Sequence, residues 1–188
     1  MKKVAKIFIN PGHAPDGTPD PGAVNATTGL RECDVALIIG NKVEQYLQSA
    51  GCQTSFLQSD SLDGVVSAAN SWHADLFVSI HCNSAASAAA NGAETWYCHN
   101  SLKGQKAAAC IQDQIVKSVL VSDRGLKEAT PGVNGLYVLT NTDMPAVLVE
   151  TAFISNTGGD EKLLSDSYWQ DEFAKAIARG ITDYLSQR

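Results

Sequence analysis

Leu76-Phe77-Val78-Ser79-Ile80, followed at once by His81-Cys82-Asn83, is the stretch on which the fold turns. It has the length and apolarity of a buried strand, and its polar groups begin where the strand ends. Similar short runs recur at 5–9, 53–57, 94–98, 136–139 and 146–149. Between them lie patterns of helical period. From 32 to 50 the apolar residues Val35, Ile39, Val43 and Leu47 share one face, from 102 to 120 Ala108, Ile111, Ile115 and Val119 do, and from 168 to 185 Phe173, Ile177, Ile181 and Leu185 do. A shorter helix fits 62–72. Strands that alternate with helices predict an α/β sandwich in one domain: a mostly parallel twisted sheet of about six strands with helices on both faces.

The bulk composition agrees. At 188 residues, 44% hydrophobic and 18% charged, the chain suffices for one well-buried core and is not composed like a disordered protein. A net charge of -6 argues against nucleic acid or an anionic membrane as partner. After Met1-Lys2-Lys3 the apolar run 7–9 is cut short by Asn10-Pro11-Gly12, so no signal peptide is expected, and no stretch has the length of a membrane span. The cysteines Cys33, Cys52, Cys82, Cys98 and Cys110 are odd in number and lack a C-x-x-C pair, which reads as reduced packing residues.

Three polar residues share one kind of address. His13 follows the first strand, His81 the strand at 76–80, and Glu150 the strand at 146–149. In open α/β sheets the carboxyl ends of parallel strands form the binding crevice, so these side chains should converge there. Glu32 joins them from the helix side, because it extends the apolar stripe of Ala36, Ile39 and Val43 to the helix's amino end. A buried carboxylate costs several kcal/mol unless paired or metal-bound. Two imidazoles and one carboxylate form the His₂Glu set of catalytic zinc sites, which keep a position for water. A free carboxylate nearby, Glu150, then completes a metal-assisted hydrolase as general base. Cys33 and Cys82 flank two of the ligands, but helical and strand periodicity turn them away from Glu32 and His81. His73 and His99 stay outside the set, with a helix terminus and a sheet edge as their ordinary settings.

Pro11-Gly12-His13, Leu30-Arg31-Glu32, Ser79-Ile80-His81-Cys82-Asn83 and Val149-Glu150-Thr151-Ala152-Phe153 follow one another in the order of a known signature. In these motifs, and in Gly92-Ala93-Glu94 and Asp123-Arg124-Gly125, the chain resembles the zinc-dependent N-acetylmuramoyl-L-alanine amidases from about Lys6 to Leu185. The resemblance implies one zinc ion on His13, Glu32 and His81 and catalysis by Glu150. It implies peptidoglycan as substrate, cut between the lactyl group of N-acetylmuramic acid and the L-alanine of the stem peptide. Asn83 and Arg124 are candidate substrate-binding residues, Arg124 through its bidentate fork to a stem carboxylate. On this reading 1–188 is one catalytic domain, monomeric and without a wall-binding repeat. That suits a phage lysin or a mother-cell lysis enzyme, and equally the excised domain of a secreted autolysin, acting at the wall after release. The rival readings are a zinc exopeptidase and a non-catalytic wall-binding module.

The chain departs from the family pattern in three places, one of them a compressed connection from the second strand to the next helix. Leu57-Gln58-Ser59-Asp60 lacks the threonine–arginine pair frequent after the second strand. The stretch 84–91 is short where division-associated relatives carry a long blocking helix, which implies an open site that needs no activator.

Overall fold

The computed structural model describes residues 3–134 and 136–187. Six strands, β1 (Lys6–Pro11), β2 (Gln53–Phe56), β3 (Leu76–Asn83), β4 (Ala93–Cys98), β5 (Asp123–Ala129) and β6 (Ala146–Phe153), form one sheet in the order β2-β1-β3-β6-β4-β5. The run β2-β1-β3-β6 is parallel throughout. β4 pairs antiparallel to β6, and β5 runs parallel to β4, so the last two strands point the other way.

Alternation along the strands assigns side chains to the two faces. Ile7, Ile9, Val78, Ile80, Val147 and Val149 enter one core together with α1 (Glu32–Ser49), α3 (Leu102–Val119) and α6 (Ser167–Ser186). Phe8, Phe77 and Leu148 enter a smaller core under α2 (Leu62–Trp72) and α4 (Tyr137–Thr140). The short α5 (Asp160–Ser165) precedes α6. Ser61 and Ser101 cap α2 and α3 by accepting hydrogen bonds from the backbone N–H groups of Gly64 and Gly104, which explains why these helices start where they do.

The expected sandwich is present, with one exchange of elements. The run 136–139, expected as a strand, is instead the turn of helix α4, with Val138 and Leu139 buried in the smaller core. A short apolar run does not distinguish strand from helix by periodicity. The sixth strand is β5, whose sequence Asp-Arg-Gly-Leu-Lys-Glu-Ala has no apolar run because it is the sheet's edge and lies largely open to solvent. β3 and β6 also extend past their apolar runs, so His81 and Glu150 sit within strands rather than just after them.

Helix α6 packs against both α1 and α3. It approaches α3 so closely that a Cβ on Gly180 would lie 2.5 Å from Ile111 Cα, a backbone atom that no rotamer can move. Gly180→Ala gains about 1 kcal/mol in helix propensity, yet forcing the helices apart costs about 1–3 kcal/mol. We expect net destabilisation in urea titration.

Candidate metal centre and catalytic carboxylate

β1 leaves the sheet at Pro11, opposite Ile80, while β3 runs on beside β6. The chain then turns: Gly12 N–H donates to Ile80 O at 2.9 Å, and His13 adopts a left-handed backbone with φ 68° that turns its ring back over the sheet end. Helix α1 starts at Glu32, whose N–H donates to Ala23 O, so its carboxylate enters the same space from the other side.

Glu32 is the centre of the cluster. Its Oε1 lies 2.8 Å from His81 Nδ1 and 3.0 Å from His13 Nε2, and accepts the Cys82 N–H at 3.0 Å. Oε2 accepts the Ala23 N–H at 2.8 Å. His13, Glu32 and His81 each offer a ligand atom, all within 4.8 Å of one another, the only such group of three or more metal-ligating side chains among the described residues. Burial alone would raise the Glu32 pKa, but hydrogen bonds and charge from the two imidazoles outweigh it and hold Glu32 far below the usual carboxylate range. Burial would lower His13, yet Glu32 and Asp20 together lift it to about 9. A carboxylate that gathers two imidazoles in this way is a natural cation site, since a divalent ion replaces the imidazole protons.

Glu150 stands next along the sheet. In the strand register it is paired with His81 on one side and with Glu94 on the other, so the three side chains form a row across one face. Its Oε2 is buried without a hydrogen-bond partner among the described residues. Burial raises its pKa to about 7, with the charges of Glu32 and Glu94 adding to the rise and those of His81 and His13 opposing it. Glu94 itself is buried and anchored at both oxygens, by Trp96 Nε1 at 3.1 Å and by Arg124 Nε at 2.8 Å. Arg124 also lies over the Phe153 ring at 4.7 Å. It is therefore fixed beside the carboxylate row, with only its Nε engaged as a side-chain donor among the described residues. Asn83 ends β3, where its Oδ1 accepts the Ser84 N–H and its carbonyl the Ile154 N–H, so it ties down the following loop.

The remaining candidates lie elsewhere. Cys82 faces the opposite core, its Sγ 3.6 Å from the Thr151 hydroxyl, and Cys33 is buried beside Asp34. His99 pairs with Glu128 at 3.2 Å on the sheet's far side, and His73 ends α2 in a left-handed conformation. Gln58, at the position that departs from the family pattern, donates from Nε2 to both Gly12 O and Cys33 O and so ties the His13 turn to the start of α1. Two glycines make the cluster's compactness possible. A Cβ on Gly12 would meet His81 Cε1 at 2.2 Å, and one on Gly22 would lie 2.5 Å from His13 Cδ2 and 2.7 Å from Glu32 Oε2. A groove of about 290 Å³ opens from His13 and His81 toward Asp60, Leu62, Leu136 and Tyr137.

The family profile described as N-acetylmuramoyl-L-alanine amidase matches residues 7–183. The chain belongs to this family. It is accordingly an amide hydrolase by descent. The chain is 38% identical to the uncharacterized protein YqiI of Bacillus subtilis, over 96% of this chain and 85% of that one. It is 37% identical to the N-acetylmuramoyl-L-alanine amidase LytC of the same organism, over 95% of this chain but only 35% of LytC. Among solved structures, the N-acetylmuramoyl-L-alanine amidase AmiC2 of Nostoc punctiforme superimposes with a TM-score of 0.87 at 34% identity, covering 98% of each chain.

Two outcomes are expected of this site. Gly22→Ala, which needs φ +68° as well as space, should weaken divalent-ion binding by about tenfold or more in a chelator competition. The second concerns EDTA-stripped protein. Glu150 and His13 both have folded pKa values raised above their unfolded ones, from 4.5 to about 7 and from 6.5 to about 9, so each contributes stability at low pH that is lost as pH rises through the folded value. Glu32 has the opposite sign and acts only below its unfolded value of 4.5. Thermal melts should therefore show stability falling from about pH 5 to pH 9, and Glu150→Gln should remove the part of the fall below about pH 7.

Proposed function

We propose that the chain is a zinc-dependent peptidoglycan hydrolase that cleaves the amide between the lactyl group of N-acetylmuramic acid and the L-alanine of the stem peptide. The observation that carries this reading is the placement of Glu150, with its unpartnered buried Oε2, beside His81, one of the two imidazoles that share the Glu32 carboxylate. His13, Glu32 and His81 would hold the ion, and their donor set is that of catalytic zinc. When bound, zinc supplies Lewis-acid polarisation of the scissile carbonyl and a water of lowered pKa.

The chain's own residues do the rest. Burial holds Glu150 neutral up to about pH 7, and a cation held by His13, Glu32 and His81 would favour its ionised form. Its carboxylate takes a proton from the attacking water and delivers it to the leaving amide nitrogen. The released stem peptide departs with a free L-alanine amino group. Arg124, aimed by Glu94, offers its remaining guanidinium nitrogens to a carboxylate of the stem peptide. Asn83 has its amide nitrogen free of protein partners among the described residues and is assigned to substrate binding. We take 1–188 as one catalytic unit that acts as a monomer at the cell wall, without nucleic-acid partners. No helix among the described residues is long and apolar enough to cross a membrane. The connection 84–91 carries no helix that could block the groove, which supports a constitutively open site.

Digestion of purified peptidoglycan, followed by mass spectrometry, tests the reading. Wild type should release stem peptides with an L-alanine amino terminus, EDTA should abolish release and zinc restore it. Glu150→Gln should lower kcat by about 10²- to 10⁴-fold while zinc binding persists. Cleavage within the stem peptide, or release indifferent to EDTA, would refute the proposal.

A further inference from the structure

We infer that Asp20 is a positioning residue for the metal centre: it locks the His13 ring so that Nε2, and not Nδ1, is the nitrogen offered to the ion. This rests on the metal reading above. Asp20 Oδ2 lies 2.8 Å from His13 Nδ1, while His13 Nε2 lies 3.0 Å from Glu32 Oε1. The ring is thus gripped at both nitrogens by carboxylates from two different segments. With Asp20 accepting, Nδ1 carries the proton and Nε2 keeps its lone pair for a metal, the arrangement in which an outer carboxylate orients a ligating histidine.

The geometry gives His13 a particular need for such a brace. His81 projects from a strand and its orientation follows from the sheet, whereas His13 sits on a turn with a left-handed backbone just beyond the end of β1. Among the described residues no carboxylate other than Glu32 forms an ion pair or hydrogen bond with His81, so Asp20 is the sole outer carboxylate bonded to either imidazole.

Asp20 is itself held in place. Its Oδ1 accepts the Gly22 N–H at 2.9 Å, and its carbonyl accepts the Ala14 N–H at 2.9 Å, which closes the loop back onto the residue after His13. Three residues on, Ala23 N–H donates to Glu32 Oε2, and between them Pro21 O accepts the Cys33 N–H at 3.1 Å. The segment 20–23 is therefore a strap that touches both His13 and Glu32. It sets the two ligands from outside the sheet at a fixed separation before any ion arrives. Asp20 is half exposed, so replacing it leaves both cores untouched.

The test is zinc affinity by competition with a chromophoric chelator for wild type, Asp20→Ala, Asp20→Asn and His13→Ala, with imidazole N–H proton NMR on the zinc-loaded proteins. Asp20→Ala should bind zinc about 10- to 100-fold more weakly. Asp20→Asn, which keeps an oxygen for Nδ1–H and for the Gly22 N–H, should lose less, and it serves if the alanine variant does not fold. A protected His13 Nδ1–H signal should be present in wild type and absent in Asp20→Ala. Unchanged affinity in Asp20→Ala beside a weakened His13→Ala would overturn the role of Asp20 and leave the metal centre standing. A wild-type His13 signal at Nε2 would do the same. If His13→Ala binds zinc as tightly as wild type, the metal reading fails and the inference with it.

Discussion

The carboxylate of Glu32 is the point at which the sheet, the first helix and the loop between them meet. It is almost wholly buried, at 6% side-chain exposure, and receives the His13 and His81 rings and the backbone N–H groups of Ala23 and Cys82. An ionised carboxylate in such a place is costly unless its lone pairs are satisfied. Here the four donors come from three parts of the chain: the turn after β1, the end of β3 and the strap before α1. The burial of one charge thus forces three segments into register and leaves a cation-binding concavity among them.

The asymmetry of the sheet follows the same logic. Because β1 stops at Pro11 while β3 continues, the Cys82 N–H extends past its former neighbour and turns to Glu32 instead of to a strand. On the other side, antiparallel β4 brings Glu94 opposite Glu150. Like charges facing each other across a strand pair are unfavourable, and here Arg124 and Trp96 each donate a hydrogen bond to the Glu94 carboxyl group. Glu150 is left as the group with an unsatisfied buried oxygen and a pKa pushed up to about 7. The environments of the two carboxylates drive them apart, Glu32 downward and Glu150 upward, which is the pattern expected under our proposal of one ligand and one proton carrier.

Glycines and an amide supply the tolerances. Gly12 and Gly22 let backbone lie against imidazole edges that any side chain would displace. Gln58 bridges the His13 turn and α1 with one amide nitrogen, so the position that lacks the family's more frequent residues still performs a fixing role. Neutral groups and short backbone contacts thus add to the carboxylates of Glu32 and Asp20 in holding the cluster.

The sequence alone determined the layered α/β plan, the three long helices and the shorter α2, and the membership of His13, Glu32, His81 and Glu150 in one crevice. These were legible because each rests on local periodicity and on the rule that parallel strands present their ends together. Tertiary structure decided what periodicity does not encode. The edge strand β5 is polar because it is exposed, and the turn of α4 is apolar because it covers the smaller core, so their local patterns misstate their roles. Asp20 lies in Pro19-Asp20-Pro21-Gly22, which reads as ordinary turn chemistry, and Glu94 reads as one more charge in a strand. Their contacts with His13 and Arg124, and the register that sets Glu94 opposite Glu150, span 7, 30 and 56 residues and exist only once the chain has folded, because a side chain's partner is fixed by the packing of elements distant in sequence.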